Sequence, residues 1–349
     1  MRLLERIQQS GCRSVSVVGL AKNAGKTVAV NSIIRQCADA GVTLGLSSIG
    51  YDGEKIDVLS RLAKPRIAVR EGTVLATATA TLTRAAAGLE ILAATNYITA
   101  LGEVMLVRAR ESGNVEVAGP DSFAEMRHCI ATMQKLGCQL VIVDGALDRV
   151  GSAAPTITDG TVIATGAVAG SNMRRILIRS MHVKAIFTLP EVSDGALRQA
   201  ANAAVQAGQL VVVDSDGLRE LPFTSALGHA AAVISHLSPA KPFSLVIPGA
   251  ITDSLLGELL YHPRLLKQVR LVSPDPTHVF VSPEIWQRFL HLGGSVEVLK
   301  NIRILAVTVN PTAPAGKSYT PKEFALELTR ALAPLPVYDL FLSEMEVPL

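Results

Sequence analysis

Glycine, lysine and a hydroxyl in succession, Gly25-Lys26-Thr27, are the residue types that grip the phosphates of a nucleotide. Lys26 would neutralise the β- and γ-phosphates, and the Thr27 hydroxyl would ligate Mg²⁺. Asn23, Ala24, Gly25 and Val28 would add backbone N–H groups that converge on the anion, helped by the dipole of a helix starting there. The pattern departs from the usual phosphate loop. The position five before Gly25 is Leu20, and the glycine stands one earlier, at Gly19. Lys22, four residues before Lys26, is an extra cation in the same stretch. The plain alternative is a chance tripeptide beside a solvated Lys22.

Two carboxylates could complete such a site. The apolar run Leu140–Val143 ends in Asp144-Gly145, and a carboxylate at the end of a buried strand is placed to hold the Mg²⁺ shell. Gly145 would let the backbone approach the γ-phosphate. Asp52, in the acidic stretch with Glu54 and Asp57, would hold metal or orient the attacking water. An Asp-Gly turn with solvated acids is the competing reading for Asp52. Asp148 and Arg149 follow Asp144, and a surface ion pair explains them as well as a catalytic role does. Asn310, just past the last strand, could read adenine, because an amide donates and accepts at once. An Asn-Pro turn needs no ligand. Guanine would call for an acid beside Asn310, and none follows until Glu323, which favours ATP. Lys317 lies in a second Gly-Lys-Ser string that lacks the spacing and the helix start.

The elements that must position these residues follow from the pattern. Val15–Val18 is a β-branched strand, and the residues after Thr27 have helical spacing up to Gly41. A second strand spans 42–50, which makes a right-handed βαβ unit. Strand, glycine-containing loop and helix is the setting in which Gly-Lys-Thr reads as a P-loop. Further strands are expected at 66–69, 159–168, 185–190 and 302–309. An Ala- and Thr-rich helix is expected after 69, and another helix over 121–136. A hairpin turning at Ser112-Gly113-Asn114 would add an antiparallel edge near 90–120. The expected fold is α/β: a P-loop NTPase with a mostly parallel sheet, helices on both faces, an inserted antiparallel hairpin and a C-terminal α/β extension. The expected division is a nucleotide-binding core over 1–170, with the hairpin inserted near 90–120, and a continuing α/β half over 171–349, whose packing on the same sheet is left open.

Composition fits this class. The 349 residues are 49% hydrophobic but only 4% aromatic, so the core must be aliphatic, as in a sheet covered on both faces. The net charge of +3, from 33 basic against 30 acidic residues, gives no argument for nucleic acid or an anionic membrane. Cys12, Cys37, Cys129 and Cys138 form no CxxC pair and read as reduced thiols of a cytoplasmic protein. Neither a signal peptide nor a membrane-spanning run is read. The histidines have no metal-ligand spacing.

Beyond Gly-Lys-Thr, the strings GLAKNAGKT, SSIGYDGEKIDV, KPRIAVREGT, LVIVDGALDR and ATGA carry a family resemblance. A lysine-bearing phosphate loop of this kind is similar to the deviant Walker A group, which includes MinD-like ATPases, dethiobiotin synthetase and molybdopterin-guanine dinucleotide adapter proteins. In the MinD-like members the extra lysine lies one position further away than Lys22. The whole set resembles the P-loop ATPase subunit of lysine 5,6-aminomutase reactivase, over most of the chain and most closely in residues 15–170. The resemblance implies an ATPase that restores an adenosylcobalamin- and pyridoxal-phosphate-dependent aminomutase after its cobalamin is damaged. It implies ATP and Mg²⁺ as cofactors, with Lys26 and Thr27 on phosphate and metal and Asp144 as the Walker B acid. It implies lysine 5,6-aminomutase and a MutS-like second subunit as partners; a homodimer over the nucleotide is common in the wider group. A dethiobiotin synthetase-like enzyme and a GTPase-like adapter of cofactor assembly remain open alternatives.

Overall fold

The computed structural model describes residues 1–49, 67–145, 153–154, 156–314, 316 and 318–348. The chain forms two compact units, Met1–Met181 with Arg303–Leu349, and His182–Ile302. In chain order the first unit begins with α1 (Leu3–Gln9), β1 (Ser14–Gly19), α2 (Lys26–Asp39), β2 (Leu44–Ser48), β3 (Ile67–Val69), β4 (Val74–Ala78) and α3 (Thr79–Leu82). It continues with β5 (Leu89–Thr99), β6 (Gly102–Ala109), β7 (Gly113–Val115), α4 (Phe123–Lys135), β8 (Leu140–Gly145), β9 (Gly160–Gly166) and the start of α5 (Met173–Phe187). The second unit holds α6 (Gly195–Ala207), β10 (Val211–Asp214), β11 (Gly217–Glu220), α7 (Ala230–Ser235), β12 (Phe243–Val246), β13 (Ile251–Thr252), α8 (Asp253–Leu260) and α9 (Pro263–Leu266). It closes with β14 (Val269–Ser273), β15 (Val279–Phe280), α10 (Pro283–His291) and β16 (Ser295–Val298). The chain then returns to the first unit as β17 (Ile304–Asn310), α11 (Pro321–Leu332) and β18 (Val337–Tyr338).

The first unit is built on a nine-stranded sheet in the order β18-β17-β9-β1-β8-β2-β4-β6-β5. Its pairs are parallel from β18 through β4, and β6 runs antiparallel to both β4 and β5. Such a sheet must be covered on both faces, which is why β1 and β8 read as nearly continuous apolar runs. The residues of β8 alternate between two cores. Ile142 packs with Val15, Val17, Ile33 and Ile7 on the α1 and α2 side. Val141 and Val143 pack with Met126, Cys129 and Met133 of α4 on the other. From β1 the chain first moves past the place of β8 to β2, and later it crosses β1 the other way, from β8 to β9. Such a switch point opens a crevice at the C-terminal ends of the strands. The second unit has its own five-stranded sheet, β11-β10-β12-β14-β16, with β12, β14 and β16 parallel.

The architecture is therefore α/β with a large, mostly parallel sheet, and it differs from the sequence reading in four places. The division is discontinuous rather than 1–170 and 171–349. One point that the sequence left open is settled besides: β17 lies beside β9, with Val307 opposite Ile163, so the last strand is packed on the first sheet. The Ala- and Thr-rich stretch after residue 69 is mostly strand: Val74–Ala78 is wholly buried between β2 and β6, where small side chains fit and tertiary position overrides helix propensity. The turn at Ser112-Gly113-Asn114 does not join a hairpin, because β7 pairs with β3. The antiparallel edge is instead β5–β6, and it turns just before Gly102, which has φ +95°. Residues 185–187 end α5 rather than starting a strand. No helix among the described residues is long and apolar enough to cross a membrane.

Candidate functional site

The stretch that carries Gly25-Lys26-Thr27 sits at the switch point. Gly19 closes β1 opposite Ala164 of β9, and the Leu20 N–H donates to the Ala164 carbonyl at 2.8 Å. Leu20 is buried and prolongs the strand. The chain is thus still bonded to β9 one residue past the end of β1, and it turns only afterwards. The turn is tight, with the Ala24 N–H donating to the Ala21 carbonyl at 3.2 Å. Asn23 and Gly25 are both left-handed, at φ +63° and +99°. Asparagine tolerates that region better than most residues, and glycine does so without strain.

Gly25 is the N-cap of α2, and no side-chain cap is made there among the described residues. The first turn carries no acid. The first N–H groups of an α-helix have no intrahelical acceptor, so an uncapped start presents converging donors at the positive end of the dipole. An anion there gains typically about 0.3–1 kcal/mol from the dipole alone. Lys22 and Asn23 are exposed, Ala24 is buried, and Gly25, Lys26, Thr27 and Val28 are half-buried.

Lys26 bridges to β8. Its Nζ donates to the Gly145 carbonyl at 2.8 Å and lies 3.2 Å from Asp144 Oδ1. Asp144 is level with Val17 of β1 and Ser48 of β2. Val17 belongs to the core on the α2 side, so Asp144 projects to the face from which Lys26 reaches it. The pair is only partly shielded, and its attraction is worth at most about 1 kcal/mol. It orients Lys26 across the mouth of the loop rather than out into water. Thr27 lies next to Lys26 in the first turn of α2. A hydroxyl and a carboxylate are hard oxygen donors suited to Mg²⁺, so this donor set fits the metal expected from the sequence.

Asn310 ends β17 and touches the loop. Its Nδ2 donates to the Asn23 carbonyl at 3.3 Å, and its Oδ1 accepts from the Thr312 N–H at 3.0 Å. The two bonds use one of the two Nδ2 N–H groups and one of the two Oδ1 lone pairs, and they tie the amide to the loop and to its own strand end. Asp52, Glu54, Asp57, Asp148, Arg149 and Lys317 lie outside the described residues. The structure thus brings together Asn23, Gly25, Lys26, Asp144 and Asn310 from four elements.

Two features were not singled out from the sequence. Gly166 ends β9 against the loop, and a Cβ there would fall 2.6 Å from the Asn310 carbonyl and 3.4 Å from that of Ala24. A signal was available, since β1, β8 and β9 each close on a glycine: Gly19, Gly145 and Gly166. The second feature is the strap 117–119, which crosses the end of β2. Ser48 Oγ donates to the Val117 carbonyl at 3.0 Å, and the Gly119 N–H donates to Ser48 Oγ at 3.2 Å. Cavities of about 680 and 530 Å³ occur in the His182–Ile302 unit, and neither is lined by a residue of the Leu20–Gly25 loop.

Comparison of the chain with protein-family models, with curated proteins and with solved structures finds no match.

Proposed function

We propose that the chain binds and hydrolyses ATP with Mg²⁺ as the P-loop subunit of a reactivation factor for an adenosylcobalamin-dependent lysine 5,6-aminomutase. The observation that carries the nucleotide part is the placement of Lys26: at the uncapped start of α2, bonded to the end of the neighbouring strand through Gly145 and beside Asp144. The aminomutase and a MutS-like second subunit come from the sequence resemblance.

The roles follow from the geometry. The backbone donors of Gly25–Val28 bind the phosphates, and the left-handed residues Asn23 and Gly25 keep those donors turned inward. Lys26 is pre-oriented by Gly145 and Asp144, so it orders little on binding. When Lys26 donates to phosphate oxygens, Asp144 loses its present counter-charge and is left to hold the metal with Thr27. The metal supplies charge neutralisation between the phosphates. Asp52 is assigned to the metal or to the attacking water on its sequence position. Movement of the Lys26–Gly145 bond would pull on the end of β8, a plausible origin for a nucleotide-dependent switch acting on a partner.

The test is ATP hydrolysis by the purified chain, alone and with lysine 5,6-aminomutase carrying inactivated cobalamin, with and without the second subunit. Stimulation by the mutase together with recovered mutase activity, both lost in Lys26→Ala, supports the reading. Brisk hydrolysis indifferent to the mutase would redirect it to a small-molecule enzyme of the dethiobiotin synthetase kind.

A further inference from the structure

Asn310 is separated from the loop by 287 residues of chain, yet it is bonded to it. The orientation of its amide follows from chemistry. The Thr312 main-chain N–H can only donate, so the atom 3.0 Å from it is Oδ1. The Asn23 carbonyl can only accept, so the atom facing it is Nδ2, at 3.3 Å. The two bonds agree on one orientation, which holds the amide between the loop and the end of β17.

The contact falls on the strained part of the loop. Asn23 is a non-glycine residue in the left-handed region, at φ +63°. That conformation is unfavourable for a residue with a Cβ and persists only where the surroundings hold it, and the bond from Asn310 is one such support. The rest of Asn310 is also wedged in place. A Cβ on Gly25 would meet Asn310 Cβ at 3.2 Å, and one on Gly166 would meet the Asn310 carbonyl at 2.6 Å. Only glycine at both positions lets the end of β17 approach the loop this closely.

We infer that Asn310 is a positioning residue for the phosphate loop: it fixes the Asn23 carbonyl and thereby the turn that leads into the anion-binding N–H groups from Gly25 onward, and it does not read the base. The inference rests on the triphosphate reading above. It places base selectivity elsewhere and makes β17 a mechanical neighbour of the phosphates.

The experiment compares binding of Mg-ATP and of Mg²⁺ with inorganic tripolyphosphate, which has no base, by calorimetry on the full chain. The wild type is set against Asn310→Ala, which loses both bonds, and Asn310→Leu, which loses them but keeps the bulk of the side chain and adds no charge beside the phosphates. Loss of the Asn23 bond is expected to weaken both ligands by the same factor, about tenfold, in both variants, with binding stoichiometry as in the wild type. Unchanged stoichiometry separates lower affinity from a misfolded fraction. Weaker ATP with unchanged tripolyphosphate would make Asn310 a base reader and overturn the inference, while leaving the triphosphate site intact. Unchanged affinity for both would overturn it as well. Binding of neither ligand by the wild type would remove the triphosphate reading itself.

Discussion

Lys26 and Asp144 meet 3.2 Å apart across two elements, and the charge on each sets the role of the other. Asp144→Asn keeps the shape and removes the charge proposed to hold the metal. We expect it to lower the rate of ATP hydrolysis by roughly 100-fold or more, in line with loss of one electrostatic contributor. ATP affinity should change far less, because the phosphate donors on α2 remain; phosphate-release assays beside calorimetry would show the split. A second residue-scale prediction concerns stability. The Tyr338 hydroxyl is buried with no hydrogen-bond partner among the described residues, and burial pushes its pKa up to about 12. Burying an unsatisfied hydroxyl is unfavourable, so Tyr338→Phe should raise stability by about 1 kcal/mol, read from urea unfolding. A loss of stability would mean that the hydroxyl has a partner. At this scale the sequence was legible where a motif is local. Gly25-Lys26-Thr27 could be read because strand, loop and helix are contiguous. The engagement of Asn310 could not, since it depends on a strand from the far end of the chain arriving beside β9.

At the scale of elements, legibility followed burial. Strands β1, β8, β9 and β17 could be read because a strand covered on both faces must be apolar throughout. Pairing partners could not. β4 carries an Ala-Thr pattern that suits a helix, and only its place between β2 and β6 makes it a strand. β7 follows a plausible turn yet pairs with β3, because Gly113 passes 2.7 Å (measured to a hypothetical Cβ) from the Ala87 backbone nitrogen, where no larger residue fits. The strap over β2 depends on glycine in the same way. A Cβ on Gly119 would lie 2.0 Å from the Ser48 carbonyl and 2.4 Å from Ser47 Oγ. Backbone would have to move, and Ser48 would lose its bonds to Val117 and Gly119. Gly119→Ala should therefore destabilise by roughly 2–4 kcal/mol, at the upper end of single substitutions, and thermal or urea unfolding would measure it. A change within ~0.5 kcal/mol, as at an ordinary surface site, would show that the strap is not pinned as described.

For the whole molecule, the chain leaves one sheet, builds a second unit over His182–Ile302, and returns to finish the first. Each unit has its own sheet and buried core. The discontinuity was hidden in the sequence because βα alternation runs on without a break in composition at either crossing. Every described residue of the candidate site lies in the unit made of Met1–Met181 and Arg303–Leu349. A ligand that binds only the folded state raises its stability by mass action, by about 2.7 kcal/mol at a hundredfold excess over Kd. Scanning calorimetry should accordingly show two transitions, with Mg-ATP raising one of them, and Lys26→Ala should abolish that shift. An equal rise of both transitions would place the site, or the cooperativity, differently.

The central claim is that Lys26, at the start of α2, belongs to a triphosphate site. It is tested most directly by titrating the full chain with ATP in the presence of Mg²⁺, wild type against Lys26→Ala. Saturable binding by the wild type, weakened at least ~100-fold by the substitution, is the predicted result, since Lys26 is the charge that meets the phosphates. Binding by the variant equal to that of the wild type would contradict the account, and so would a wild type that binds no ATP.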